Sequence, residues 1–268
     1  MRLLLLAGAF AGSLTAAAPA VAVEFAPHQA DYVLSLHSAR QGSGILAVSG
    51  EMAADWSGSC EGWTFDHQFT LDVSYATGAS ARITSNVSTW ESRDGREYRF
   101  NVRNLADDEL TEAFEGSARV GPDGDGKATF EQPEGQTFEL PKGTLFPVAH
   151  TLVLIAQAAE APTTVTRPVF DGLSDEGAYE ISAVIGKAKA APAAKDPVVG
   201  ALSGHRSWPV TMAFFPVGSS DAQPEHEIAM RLYDNGVADE FLIRFDEFAV
   251  RAKLRGLKLE TPARCNGT

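Results

Sequence analysis

Beyond residue 22 the chain has no apolar run long enough to cross a bilayer as a helix, which takes about 20 such residues. Cysteine is scarce, with only Cys60 and Cys265 in 268 residues. Basic residues are outnumbered, 22 against 35 acidic ones, for a net charge of −13. That balance argues against sequence-independent nucleic-acid binding, which needs a basic surface, and it favours solubility without bearing on fold. The six histidines form no His-x-His or His-Glu-x-x-His spacing, so a zinc site has no support. Serine, histidine and aspartate all occur, but nothing in the pattern gathers them into a triad. No repeat of fixed period is present.

What the chain does have begins with a leader. One positive charge at Arg2, an apolar segment and the site Ala20-Val21-Ala22 read as a secretory signal peptide cut after Ala22. An N-terminal membrane anchor is the alternative, disfavoured because the apolar segment is short. No cysteine stands at the cleavage site to carry a lipid. Two cysteines in an exported protein most simply form one disulfide, two free thiols being the other possibility. A bridge over so long a loop is worth at most roughly 5 kcal/mol in the loop-entropy model.

The clearest pattern lies between residues 60 and 75. Trp63, Phe65, His67, Phe69, Leu71, Val73 and Tyr75 alternate with Thr64, Asp66, Gln68, Thr70, Asp72 and Ser74. Period-two alternation over this length predicts a long strand with one buried and one wet face. Similar segments precede and follow it. Tyr32, Leu34 and Leu36 share a face, and so do Leu46, Val48, Met52, Ala54 and Trp56. Weaker strands are predicted over 81–91, 97–104, 114–120, 127–131 and 137–140, then over 164–170, 178–185, 207–215, 225–234 and 237–246, with a last one through Phe248, Val250, Ala252 and Leu254. Asp94-Gly95 and Asn235-Gly236 are hairpin signals. A phase slip near Asp246 marks a turn or bulge.

The period becomes helical only from Pro147 to Ala159, where Val148, Leu152, Ile155 and Ala159 fall on one face. The stretch 186–205 is rich in Ala, Pro and Lys. Its composition predicts a mobile surface insertion that adds nothing to the core and has no assigned role. The expectation is therefore an all-β chain with one helix: a single domain over 23–268, built as a large curved antiparallel sheet of about 14 strands.

Individual motifs weigh less than this grammar. Gly58-Ser59-Cys60-Glu61-Gly62 has the spacing of a nucleophile elbow, but an elbow needs a helix after it and a strand follows here. Asp123-Gly124-Asp125-Gly126 starts like a calcium loop, then places Lys127 and Ala128 where an oxygen ligand and a glycine belong. His67 sits on the apolar face of the long strand, as a hydrogen-bonded core residue or as the lining of a cavity wet enough for an imidazole. His150, off the apolar stripe of the helix, is expected to hydrogen-bond a neighbouring strand. Arg251, Lys253 and Arg255 form a basic stripe on the last strand, either a solvated face or a wall that attracts an anionic ligand. The candidate cleft is accordingly Trp63, His67, Arg251, Lys253 and Arg255.

Several segments, taken in order, carry a resemblance. They are Ser59-Cys60-Glu61-Gly62-Trp63, Leu145-Phe146-Pro147-Val148-Ala149-His150-Thr151, Phe170-Asp171-Gly172, Val184-Ile185-Gly186-Lys187, Tyr233-Asp234-Asn235-Gly236-Val237, Asp246-Glu247-Phe248 and the terminal Cys265. Together the chain resembles the EipB-like periplasmic cell-envelope integrity family. The resemblance implies a periplasmic protein of Gram-negative bacteria and an open β-spiral similar in outline to lipoprotein carriers. It also implies a disulfide joining Cys60 to Cys265. It supplies no catalytic residue. The resulting expectation is a non-enzymatic monomer that needs no cofactor or metal. It would support envelope integrity by binding an envelope component or periplasmic protein in the concave face of its sheet. A carrier of a lipid, acyl chain or lipoprotein is the alternative, and a hydrolase of envelope polymers ranks below both.

Overall fold

A computed structural model describes residues 25–265. The predicted leader and its cleavage site lie outside the described residues. Alternating sequence becomes alternating burial: in β1 (His28–Ala39) the residues from His28 to Leu36 run buried, exposed, buried, exposed along the strand. The following strands are β2 (Ile45–Gly58), β3 (Gly62–Tyr75), β4 (Ser80–Ser92), β5 (Glu97–Ala106), β6 (Glu109–Val120), β7 (Gly126–Gln132) and β8 (Thr137–Leu140). Helix α1 (Pro147–Glu160) interrupts them. Then come β9 (Thr163–Val169), β10 (Tyr179–Ile185), β11 (Ser207–Pro216), β12 (His226–Tyr233), β13 (Ala238–Arg244) and β14 (Phe248–Leu259).

All 14 strands join one antiparallel sheet, in the order β8-β7-β6-β5-β4-β3-β2-β1-β14-β13-β12-β11-β10-β9. The first and last strands are thus neighbours in the middle of the sheet, with Leu34 opposite Ala252 and Val33 opposite Lys253. Its free edges are β8 and β9. A bond from Cys60, in the β2–β3 turn, to Cys265, in the tail after β14, therefore reaches across β1 within the middle of the sheet. It does not clamp the two edges of the spiral.

The sheet rolls up because its apolar faces must be covered. Phe170, just past β9 at one edge, reaches Phe100 of β5 at 5.6 Å and Phe130 of β7 at 6.2 Å. Leu145, between β8 and α1, donates its amide to Pro168 and accepts from the amide of Phe170, which partly seals the seam between the two edges. One apolar cluster packs α1 on β9–β12, a second joins β4–β8 to Phe146 and Phe170, and a third joins β1–β3 to β13 and β14.

Helix α1 matches the predicted span, with Pro147 in its first turn. Its buried residues are Val148, His150, Leu154, Ile155 and Ala158. Its N-terminus has no cap from its own chain segment. Glu91 of β4 supplies one instead, accepting from the amides of Val148 at 2.7 Å and Ala149 at 2.8 Å. These are two of the donors that a helix start leaves unpaired.

Three expectations change. His150 is buried but its Nε2 has no hydrogen-bond partner, so the expected bond to a strand is not made by that atom. Residues 105–113, left out of the predicted strands, form the β5–β6 hairpin. Asp107 and Asp108 turn it with φ of 49° and 66° and no glycine to signal the turn. The 186–205 stretch does contribute to the core. A 3₁₀ turn at Gly200–Leu202 buries Leu202 completely against Tyr233 and Val237. Composition missed this because one leucine in an Ala/Pro-rich stretch carries no periodic signal.

Candidate functional site

Register, not sequence alone, assembles the most distinctive surface. The β2–β3 pairing sets Trp56 opposite Phe65, Ala54 opposite His67 and Met52 opposite Phe69. The rings then run in a row: Trp56 to Phe65 at 4.0 Å, Phe65 to His67 at 5.5 Å and His67 to Phe69 at 6.4 Å. Phe25 closes one end, 4.9 Å from Trp56 and 5.1 Å from Trp63. Both ends are covered. Trp63 packs with Val148 of α1, and Leu71 and Val73 pack with Val250 and Ala252 of β14. Between those ends Trp56, Phe65, His67 and Phe69 stay only half-buried.

His67 makes no side-chain hydrogen bond or ion pair among the described residues. Burial pushes its imidazole down to about 4, so it is neutral at neutral pH. The row is therefore an uncharged aromatic strip with one hydrogen-bonding ring in its middle. Such a surface suits an apolar or aromatic group carrying a polar atom.

The structure does not bring the five candidate cleft residues together. Trp63 and His67 lie on the inward face. His67 is in register with Ala54, and Ala54 with Ala30 of β1. Ala30, Tyr32 and Leu34 share that inward face, and Tyr32 and Leu34 sit opposite Leu254 and Ala252. Arg251 and Lys253 consequently point to the outward face. Arg251 pairs with Glu240 at 2.7 Å and Arg255 with Glu51 at 2.6 Å, while Lys253 is exposed. The basic stripe is a solvated outer face with its charge largely matched. It does not wall the aromatic row.

Cys60 and Cys265 are bonded to each other, both solvent-exposed, with Cα atoms 5.5 Å apart. Cys60 therefore carries no free thiol, and the elbow-like spacing around it has no nucleophile. Asp125 of the calcium-like turn pairs with Lys142 at 3.3 Å. Among the described residues no group of three or more His, Cys, Asp or Glu has the geometry of a metal site. The residues that sequence reasoning missed are Phe25, Trp56, Phe65 and Phe69. Alternation placed three of them on apolar faces, but only the β2–β3 register shows that their rings stack.

Comparison with known proteins adds a family context. The EipB-like family model matches residues 19–261. A curated relative from Brucella abortus (strain 2308), named cell envelope integrity protein EipB, is 32% identical over 248 residues, covering 91% of this chain and 88% of the relative. A crystal structure from Brucella abortus, described as a beta-barrel-like protein of a domain of unknown function, superimposes with a TM-score of 0.83 at 31% identity. It covers 90% of this chain and 100% of its own.

Proposed function

The chain belongs to the EipB-like family, and from that premise we propose that it supports cell-envelope integrity as a non-enzymatic periplasmic protein. Its part is to hold an envelope component, or a protein bearing one, against the inward aromatic row of β2 and β3. The observation that carries this reading is the half-exposed strip from Trp56 to Phe69, left uncovered between two buried ends. Leaving large rings partly wet forgoes roughly 25 cal/mol for each Å² of apolar surface not buried, and a ligand that covers them recovers that free energy. An imidazole kept neutral by burial adds orientation without charge. The disulfide fits a protein that works outside the reducing cytoplasm.

The same apolar lining favours a second reading, a carrier that takes up an acyl chain and passes it on. Holding and carrying differ in whether the ligand leaves. Native mass spectrometry of protein purified from the periplasm should find a retained non-covalent adduct, and His67→Ala with Phe65→Ser should lose it at an unchanged fold. Transfer of the adduct to acceptor membranes would select the carrier. No adduct in the wild type, together with full envelope support by the double variant, would sink both readings.

A further inference from the structure

The outward face of the same strands carries a second concavity. It has a volume of about 620 Å³ and crosses β1 to β5. Its floor is a cross-strand row in strict register: Gln29, Asp55, Asp66, Ser88 and Asn101, one residue from each strand. A parallel row two residues along the strands holds Gln68, Asn86 and Arg103, with the small Ala53 leaving room between them. We propose that this trough binds a neutral glycan chain.

Four features lead there. The trough is lined by planar amides, carboxylates and a hydroxyl, groups that pair with adjacent sugar hydroxyls two at a time. Part of the first row is already oriented. Gln29 donates to Asp55 at 3.0 Å and Ser88 donates to Asp66 at 2.6 Å. By contrast Gln68, Asn86, Asn101 and Arg103 have no side-chain hydrogen-bond partner among the described residues, so their donors and acceptors face the trough unspent. Finally, five strands about 4.8 Å apart present one polar group each over about 19 Å, a spacing close to one sugar residue per strand.

The same features disfavour a peptide. The strands are interior ones, with main-chain groups paired on both sides, so strand addition is closed. The apolar residues lining it, Ala30, Ala53, Ala54 and Val87, are too small to form a pocket for a large anchoring side chain. The carboxylates of Asp31, Asp55 and Asp66 outnumber the single lining cation, Arg103, and this net negative charge repels an acidic polymer. The volume falls in the range of ordinary small-ligand sites. A separate concavity of about 600 Å³ lies further along β4, at Trp90 and Ser92.

The test uses the full mature chain with amide-resolved NMR. Chitohexaose, a soluble neutral glycan, should shift the resonances of Gln68, Asn86 and Asn101, and the amide of His67 whose backbone borders the trough, while the ring resonances of Phe65 and Phe69 on the other face stay still. Asn86→Ala and Asn101→Ala, both half-buried and without side-chain partners among the described residues, should each weaken the binding about tenfold, the size of a lost hydrogen-bonded pair, with the melting temperature unchanged. Co-sedimentation with insoluble chitin, a neutral polymer, separates a polymeric source from free oligosaccharide. Either source supports the proposal if the same variants abolish it. Absence of shifts at millimolar sugar, or sugar shifts centred on the aromatic row, overturns it. So does the same set of shifts from hexalysine but not from sugar, which would mark a cationic-peptide site. Failure here leaves the aromatic-row reading standing, because the two faces are probed separately.

Discussion

Glu91 shows how much a single side chain can hold. It is 3% exposed, and its carboxylate ends the orphan amides of Val148 and Ala149. Burial pushes its pKa up to about 7, against the pull of those two hydrogen bonds. The native state therefore holds this proton more tightly than the unfolded chain. Its contribution is fully present below the ordinary value of 4.5 and is lost as pH rises toward about 7. Glu91→Gln should flatten that part of the stability curve, so that the difference between wild type and variant changes steadily from about pH 4.5 to about pH 7 in denaturant titrations. A difference that moves in the opposite sense would mean the helix amides outweigh burial. Glu91→Ala leaves the Val148 and Ala149 donors unpaired and should cost about 2 kcal/mol below pH 4.5, the cost shrinking as pH rises toward about 7.

At the level of elements, two tethers invite measurement. Leu202 anchors the 186–205 segment by filling the space beside Tyr233 and Val237. Leu202→Ala should cost about 3 kcal/mol in urea unfolding and should speed protease cutting within 186–205, because the side chain is fully buried. The disulfide acts elsewhere. It ties the tail after β14 to the β2–β3 turn, across strands that are already hydrogen-bonded, so its effect lies in restricting the unfolded chain. Cys60→Ser, Cys265→Ser and the double variant should lower the melting temperature equally, since one bond is lost in each, with a stability loss of a few kcal/mol at most. A variant with unchanged melting but no envelope support would point to a redox role for the pair.

For the molecule as a whole, the single sheet makes a claim about cooperativity. β10 and β11 flank the 186–205 segment and pair with each other from Tyr179–Pro216 through Ile185–Val210. A nick between them should leave both pieces joined through that ladder. Limited proteolysis followed by size-exclusion chromatography should return one species of unchanged size. Two fragments that elute apart and fold alone would refute the one-domain expectation.

The local pattern was legible wherever one strand or helix could be judged by itself. Alternation from Trp63 to Tyr75 determined a long strand with one apolar face, Pro147 opened the only α-helix among the described residues, and Asn235-Gly236 marked a turn. These follow from side-chain period and backbone preference, which need no partner. The Asp107–Asp108 hairpin escaped because residues other than glycine there adopt positive φ only with the turn already made. The basic stripe of Arg251, Lys253 and Arg255 was visible as a stripe, but its side of the sheet was not. Register is a property of two strands, and it alone decides that the stripe faces outward while Trp56, Phe65, His67 and Phe69 form one row inward. Nor could sequence order reveal that β1 and β14 meet in the middle of the sheet. That pairing joins residues more than 200 positions apart, such as His28 with Leu259, and only the closure of the whole chain brings them together.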